Sequence, residues 1–521
     1  MTGGTAAGAY GGSGAPTGAY GGTDGTAAGA GAPAGVYGGR GPDRDAPAGA
    51  AGGRVTRAGA LPAEPYDVVV VGAGVVGTAI ARELARYSPR AALVDAAPDV
   101  GEGTSKANTA ILHTGFDAVP GSLEARLVRD GARRLAGYAA EAGIPVEPVG
   151  ALLIAWDEEQ LAALPRLAAK AVANEYHAAR PLTAAELYAR EPHLGPGALG
   201  ALHVPGESVI CPWTTPLAYA TQAVRAGTDL HLNCAVRAVR ATPDGHRLAT
   251  CRGVLTARHL VNAAGLGADE LDRLLGIEDF TVTPRRGQLV VYDRLARGLV
   301  RHILLPVPTA LGKGVLVAPT VFGNVLLGPT AEDLTDRTAT GSTAEGLARL
   351  REQGARILPE LMDEEVTAVY AGLRAATERD DYRITARPDL RYVTAGGIRS
   401  TGLTASMAIA AHVVELLAGT GLATGTPREL PEVRMPALGE ASERPYRNAG
   451  LIAADPAYGT IVCHCERVTR GEVRDACAAT VPPATPDGLR RRTRARNGRC
   501  QGFACGPAVQ ELFERYTGVR R

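Results

Sequence analysis

Order in the hydrophobic pattern begins abruptly at Tyr66, where DVVVV forms a continuous β-branched run of the kind a strand buried on both faces requires. It leads straight into Gly72-Ala73-Gly74-Val75-Val76-Gly77, then a helical pattern to about Tyr87, then a short apolar run Ala91 to Val94 ending in Asp95. This is one β-α-β unit. From about 120 to 200 the stretches SLEARLVRDGARRLAGYAAEAG and EEQLAALPRLAAKAVANEY place apolar residues at helical spacing. Between 200 and 400 short strand-like runs recur (GALHV, HLVNAAG, QLVVYD, GVLVAP, NVLLGP), separated by Gly and Pro turns. A long helix is predicted from about Leu403 to Ala418, and a Pro- and Glu-rich linker from 425 to 455. The pattern predicts an α/β nucleotide-binding domain interleaved with a sheet-built substrate domain, followed by a small C-terminal module.

Composition narrows the function classes. The 521 residues carry 55 basic and 54 acidic side chains, so a net charge of +1 supplies no overall field for nucleic acid. No stretch approaches the roughly 20 consecutive apolar residues of a membrane span, and the N-terminus lacks a signal pattern. A cytoplasmic protein without a transmembrane segment is expected, with peripheral contact at the inner face of the membrane only through a partner. Residues 1–64 are rich in Gly and Ala, include two GAYGG copies, and are expected to be a disordered tail. Eight cysteines are too few for a disulfide framework, and five of them fall in the last sixty residues, which points to metal.

The glycine motif has a physical reading. Gly72 permits the tight strand-to-helix turn, Gly74 lets backbone approach a pyrophosphate, and Gly77 lets helix and strand pack closely. The helix N-terminus then offers N–H groups and a positive dipole end to phosphates. Asp95, ending the second strand, is placed to accept hydrogen bonds from ribose hydroxyls.

Two further segments carry a family resemblance. LVNAAGLGAD, from Leu260 to Asp269 and including Ala264 and Gly265, resembles the second flavin-site strand and turn of the D-amino-acid-oxidase-like FAD oxidoreductases. GGIRSTGLTAS, from Gly396 to Ser406, resembles their C-terminal flavin turn. The resemblance implies FAD as cofactor, a Rossmann-type FAD-binding domain with an antiparallel-sheet substrate domain, and flavin contacts at Gly397, Thr401, Gly402, Leu403 and Thr404. A helix starting near Leu403 would point its positive end at the flavin and favour the reduced, anionic ring.

SKANTAILHTGFD (105–117), PRRGQLVVYD (284–293), KGVLVAPTVFGNVLLGPTAED (313–333) and AGLRAAT (371–377) further resemble the large-subunit family of anaerobic glycerol-3-phosphate dehydrogenases. They are similar, less completely, to L-2-hydroxyglutarate dehydrogenases. Asp95 stands where Glu is commoner in that family, and Ala375 replaces the Pro usual after Arg374. The resemblance implies a small anionic secondary alcohol as substrate, most closely glycerol 3-phosphate. His113 would accept the hydroxyl proton, and Arg374 and Arg399 would hold the anion, with Lys313 a weaker third. From the residues alone, a histidine between Leu112 and Thr114 fits a hydrogen-bonded core residue equally well. L-2-hydroxyglutarate, a hydroxyproline-like amino acid, or a non-catalytic redox subunit are the alternatives.

Near the C-terminus, Cys463-His464-Cys465 is followed after 34 residues by Cys500-Gln501-Gly502-Phe503-Ala504-Cys505. Four thiolates in two close pairs suit a [2Fe-2S] cluster or a structural zinc, although zinc favours C-x-x-C knuckles. With DGLRRRTRARNGRCQGFACG, this pattern resembles the bacterioferritin-associated-ferredoxin-like [2Fe-2S] domain. The resemblance implies that electrons leave singly through the cluster to a partner subunit or a quinone. The arginines between 490 and 499 read as tuning the cluster's potential, as docking an acidic partner, or as a solvated basic helix. Cys477 need not ligate, and His203, Cys211, Cys234 and Cys251 read as structural.

The expected domains are a tail (1–64), the oxidoreductase (65–424), a linker (425–455) and the [2Fe-2S] module (456–521). Within the oxidoreductase, FAD-binding segments are expected at about 65–120, 200–275 and 365–424, and substrate-domain segments at about 121–199 and 276–364.

Overall fold

The computed structural model describes residues 52–308, 314–439 and 443–519. The β-α-β unit stands where the pattern places it, as the strand Tyr66–Val71, the helix Val75–Ala85 and the strand Ala91–Val94. The two strands pair in parallel, with Val69 opposite Ala92. Their side chains are buried on both faces, which is why the run needs no polar alternation. Around them the first sheet runs Val55–Thr56, Asp229–His231, Ala91–Val94, Tyr66–Val71, Gly253–Asn262, Gly245–Thr250, Val236–Thr242, with Tyr392–Gly396 also joined to Gly253–Asn262. The helices Val75–Ala85, Thr214–Arg225 and Gly402–Gly419 cover one face.

A second nine-stranded sheet is built largely around the long strands Thr283–Tyr292 and Val366–Ala376, which pair antiparallel from Thr283–Ala376 to Tyr292–Val366. It departs from the antiparallel expectation at one place, since Ile303–Pro306 runs parallel to Ala151–Ala155. The segment boundaries also shift. Gly200–Val204 and Val366–Ala376, expected in FAD-binding segments, belong to this second sheet. Periodicity reports that a run is a strand and leaves open which sheet it joins.

Two expectations about irregular segments are corrected. Residues 52–64 are not a free tail, because Val55–Thr56 extends the first sheet beside Asp229–His231. Two residues are too short to leave a compositional trace. Residues 1–51, with the GAYGG copies, lie outside the described residues. The 425–455 stretch is no loose linker either: Arg428 N–H donates to Arg86 O, Met435 N–H to Ala142 O, and Val433 and Leu438 are buried. It straps the helices rather than tethering a domain, and it ends in the helix Ala449–Ala454.

The last module holds a two-stranded hairpin and the helices Arg470–Ala478, Pro486–Thr493 and Gly506–Thr517 around its own apolar cluster of Val468, Val473, Leu489, Val509 and Phe513. Among the described residues, only the helix Gly402–Gly419 has the length and composition to cross a membrane. Its residues are mostly buried against the helices Val75–Ala85 and Leu123–Ala142, as a core helix requires.

Candidate functional site: a dinucleotide cleft, a desolvated guanidinium and a cysteine quartet

Three glycines shape the turn after the first strand. Gly72 has φ +106°, and a Cβ there would come within 2.2 Å of the Ala263 carbonyl oxygen. A Cβ at Gly77 would come within 1.8 Å of the Gly72 oxygen, so the helix packs directly on the turn. Gly74 is the N-cap and supplies no side-chain cap, leaving the helix start open except for Val75 N–H, which donates to Ser105 Oγ at 2.9 Å. Asp95 accepts the N–H groups of Ala73 and Ala97, so it braces this turn. Burial raises its pKa. Ala264 and Gly265, the latter at φ +58°, form the parallel turn on the neighbouring strand.

The helix Gly402–Gly419 is likewise uncapped at Thr401 and has no acid in its first turn. Its first N–H groups, from Gly402, Leu403 and Thr404, precede any intrahelical acceptor. Thr401 Oγ1 is engaged by Tyr382 OH and Glu124, both at 2.6 Å, and Gly397 turns the chain at φ +65°. Thr404 Oγ1 accepts the His113 N–H at 3.0 Å, so its side chain holds the 111–114 segment rather than facing the cleft. Two open helix ends and a glycine-lined gap meet the demands of a dinucleotide with an anionic diphosphate at one end and an electron-accepting ring at the other.

His113 is set by a short antiparallel pairing in which Ile111 lies opposite Val209 and Leu112 opposite Ser208, so the register carries His113 to Glu207. Glu207, fully buried, accepts from His113 Nδ1 at 3.0 Å, Thr114 N–H at 2.7 Å and Thr114 Oγ1 at 2.9 Å. A carboxylate can only accept, so Nδ1 is the donor in this contact, which leaves Nε2 as the basic nitrogen whenever the ring is neutral. Sequence reasoning missed Glu207, which lies 94 residues away in a turn with no motif around it.

Arg374 sits in unbroken ladder register opposite Arg285, with Ala375 opposite Pro284, so the absent proline leaves the strand intact. Tyr370, Gly372 and Arg374 share one face of their strand. Tyr370 OH donates to Asn108 O, and a Cβ at Gly372 would strike Ala107 O at 2.1 Å, so this face lies under the loop that leads to His113. Arg374 is half-buried, has no ion pair among the described residues and makes one long hydrogen bond, 3.4 Å, to Thr330 O. Desolvation, then the neighbouring Arg285 charge, depresses its pKa. Gly287 makes room for it, since a Cβ there would meet the guanidinium at 2.9 Å. Arg399 is different: it pairs with exposed Asp380 at 2.8 Å. Arg285 is likewise paired, through two contacts with Asp333. Lys313 lies outside the described residues.

The four cysteines meet across their two motifs. Cys465 and Cys500 are close enough to perturb each other's ionisation, and Cys463 is close enough to Cys505 to perturb that of Cys505. Among the described residues no three His, Cys, Asp or Glu side chains are grouped as they would be around one metal ion. Four thiols in two pairs fit a binuclear cluster better than a single zinc. Backbone N–H groups of the 502–504 turn, Ala504 foremost, lower the Cys500 pKa, while burial pushes Cys505 up to about 12. Cys477 is buried within the module's apolar cluster.

Comparison with known proteins agrees with this geometry. Residues 67–416 match the FAD dependent oxidoreductase family, and residues 461–515 match the BFD-like [2Fe-2S] binding domain. The chain is 35% identical over 457 residues to a glycerol 3-phosphate dehydrogenase of Caloramator mitchellensis, covering 87% of this chain and 95% of that one. It is 29% identical over 279 residues to an L-2-hydroxyglutarate dehydrogenase of Escherichia coli strain K12, covering 51% of this chain and 64% of that one. The solved structure of the dithionite-reduced L-alpha-glycerophosphate oxidase from Mycoplasma pneumoniae, with FAD bound, superposes with a TM-score of 0.67 at 30% identity, covering 72% of this chain and all of that one. FAD and a [2Fe-2S] cluster are therefore the cofactors of this chain.

Proposed function

The chain belongs to the FAD dependent oxidoreductase family, and on that premise we propose that it oxidises glycerol 3-phosphate to dihydroxyacetone phosphate. One observation carries the substrate class: Arg374 is a desolvated cation with no carboxylate partner among the described residues, on the strand face beneath the His113 loop. A charge withdrawn from water and left uncompensated is unfavourable unless a ligand supplies the counter-charge, and a guanidinium fork suits phosphate. Arg285 and Arg399 are each paired with a carboxylate, Asp333 and Asp380, so the uncompensated positive charge offered to the dianion is that of Arg374.

In this reading Arg374 holds the phosphate and so orients the carbinol carbon. His113 Nε2 takes the hydroxyl proton, and Glu207 holds the ring's tautomer and stabilises the imidazolium that forms. FAD, when bound, supplies the two-electron acceptor for the departing hydride. Gly72, Gly74, Gly77, Ala264 and Gly265 would line it, with Asp95 at the ribose and the N–H groups of Gly402 to Thr404 at the ring. Cys463, Cys465, Cys500 and Cys505 would hold the cluster, which passes electrons on to a partner protein or a quinone. The absence of disulfides among the described cysteines suits the reducing cytoplasm.

The test is the anaerobic visible spectrum of the holoenzyme before and after adding glycerol 3-phosphate. Bleaching of the flavin bands is the expected result. An unchanged spectrum, with bleaching by L-2-hydroxyglutarate instead, would refute the phosphate assignment while leaving the FAD chemistry in place.

A further inference from the structure

The arginines between 490 and 499 play no part in substrate chemistry, and three of them do not belong to a solvated face. Arg492, 4% exposed, donates from Nη1 and Nη2 to the two oxygens of Asp99, each at 2.7 Å, and from Nε and Nη2 to Val481 O. Asp99 is 0% exposed. Arg491 reaches Asp99 at 3.5 Å and also bridges Glu102 and Asp487. Arg494 donates to Glu466 at 2.8 Å and to Asn324 Oδ1 at 3.0 Å, with its guanidinium carbon 4.2 Å from the Phe322 ring centroid.

These contacts grip the oxidoreductase body at two places. Asp99 and Glu102 follow Asp95 in the dinucleotide half, whereas Phe322 and Asn324 lie in the turn before the strand Val325–Gly328 of the second sheet. Phe322 stacks on Trp213 at 4.9 Å, and the Trp213 indole N–H donates to Lys106 O in the loop that leads to His113. On the module side, Glu466 directly follows Cys465. A single helix end therefore connects the cysteine loop to both halves of the body.

We propose that Arg492 and Arg494 are positioning residues for electron transfer, fixing the cysteine-bearing module in one orientation against the FAD-binding body. The proposal rests on the reading that the cluster is reduced by FAD. An apolar contact of the same area would be as stabilising, but it would not fix direction as a two-pronged guanidinium pair does. Oxidising one carbinol to a carbonyl releases two electrons and two protons. A [2Fe-2S] cluster takes one electron at a time, so each turnover needs two successive transfers and two equivalents of an external one-electron acceptor. Both transfers depend on a constant separation of the two cofactor sites.

The experiment uses holoenzyme and three variants, Arg492→Lys, Arg494→Lys and Asp99→Asn. FAD is photoreduced anaerobically with a sacrificial donor, which removes any dependence on substrate identity, and the electron paramagnetic resonance signal of the reduced cluster is followed in time. Iron content and the signal after dithionite report an intact cluster. Each variant should keep full iron and a full dithionite signal while the signal after photoreduction appears at least tenfold more slowly. An unchanged rate in a variant with full iron would overturn the proposal. Should an arginine variant lose iron, Asp99→Asn decides by the same criterion, because Asp99 lies outside the module. Iron loss there as well would show that the contact builds the module rather than positions it, and would also overturn the proposal. A wild-type cluster that stays oxidised beside reduced FAD would instead overturn the underlying reading of electron flow, and the proposal with it.

Discussion

Arg374 and Arg492 are both guanidiniums withdrawn from water, and they could hardly be treated more differently by the fold. Arg492 is matched oxygen for nitrogen by Asp99, with Val481 O and Gly488 O taking the remaining donors. Arg374 has one long bond to a carbonyl and a like charge, Arg285, as its ladder neighbour. A fold that can satisfy one desolvated arginine so fully leaves the other deficient at a place where something else must complete it. Under the proposed function, the contrast separates a structural cation from a ligand-binding one where conformity to a motif does not, since both residues sit in family-like stretches.

Replacing each by methionine should therefore act in opposite directions. Arg374→Met removes an uncompensated charge, so the apo-protein should melt at the same temperature or higher, while kcat/KM for glycerol 3-phosphate falls by about a thousandfold, the equivalent of two charge-assisted hydrogen bonds at about 2 kcal/mol each. Arg492→Met strands the Asp99 carboxylate and should destabilise the module by about 3–5 kcal/mol, read by calorimetry, with glycerol 3-phosphate affinity unchanged. Equal effects at the two positions would erase the distinction.

A smaller effect is expected at Glu207. Glu207→Gln keeps the shape but loses one charge-assisted bond to His113 Nδ1, so kcat should fall about tenfold with KM little changed, about 1.5 kcal/mol. His113→Asn, which removes the proposed base, should lower kcat by at least about a hundredfold on the same assay.

The smallest lever is acid. Burial would raise Asp99, but the Arg492 and Arg491 guanidiniums outweigh it and hold the carboxyl below its ordinary 3.8. A depressed carboxyl contributes stability that is complete above its unfolded value and lost as pH falls through the folded one. Docking of the module should thus be flat from neutrality down to about pH 4 and weaken only below 3.8. Trp213 fluorescence in a Trp156→Phe background reports it, since Trp213 stacks on the Phe322 that Arg494 covers. A transition near pH 6 would place control of docking elsewhere.

Part of this architecture is legible in local sequence pattern alone. The β-branched run from Tyr66, the three glycines and the helix at Gly402 carry their own periodicity and turn chemistry, and they lie where those features place them. Sheet membership of Val366–Ala376 and the strand at Val55–Thr56 are not legible, because pairing partners distant in sequence decide them. The same holds within the site. His113 stands in a recognisable stretch, whereas Glu207 becomes its partner only through the register of two short strands. Arginines 491, 492 and 494 read as cluster-tuning, partner-docking or solvated charge, because composition cannot show that Asp99, Glu102 and Glu466 wait opposite them.

Under the proposed function, Arg374 is the counter-charge for an anionic substrate oxidised on FAD. Anaerobic stopped-flow measurement of flavin bleaching against glycerol 3-phosphate concentration, in wild type and Arg374→Met, tests it most directly. Saturable bleaching is expected in the wild type, with a concentration for half-maximal rate at least a hundredfold higher in the variant. Identical concentration dependence in the two proteins would contradict it.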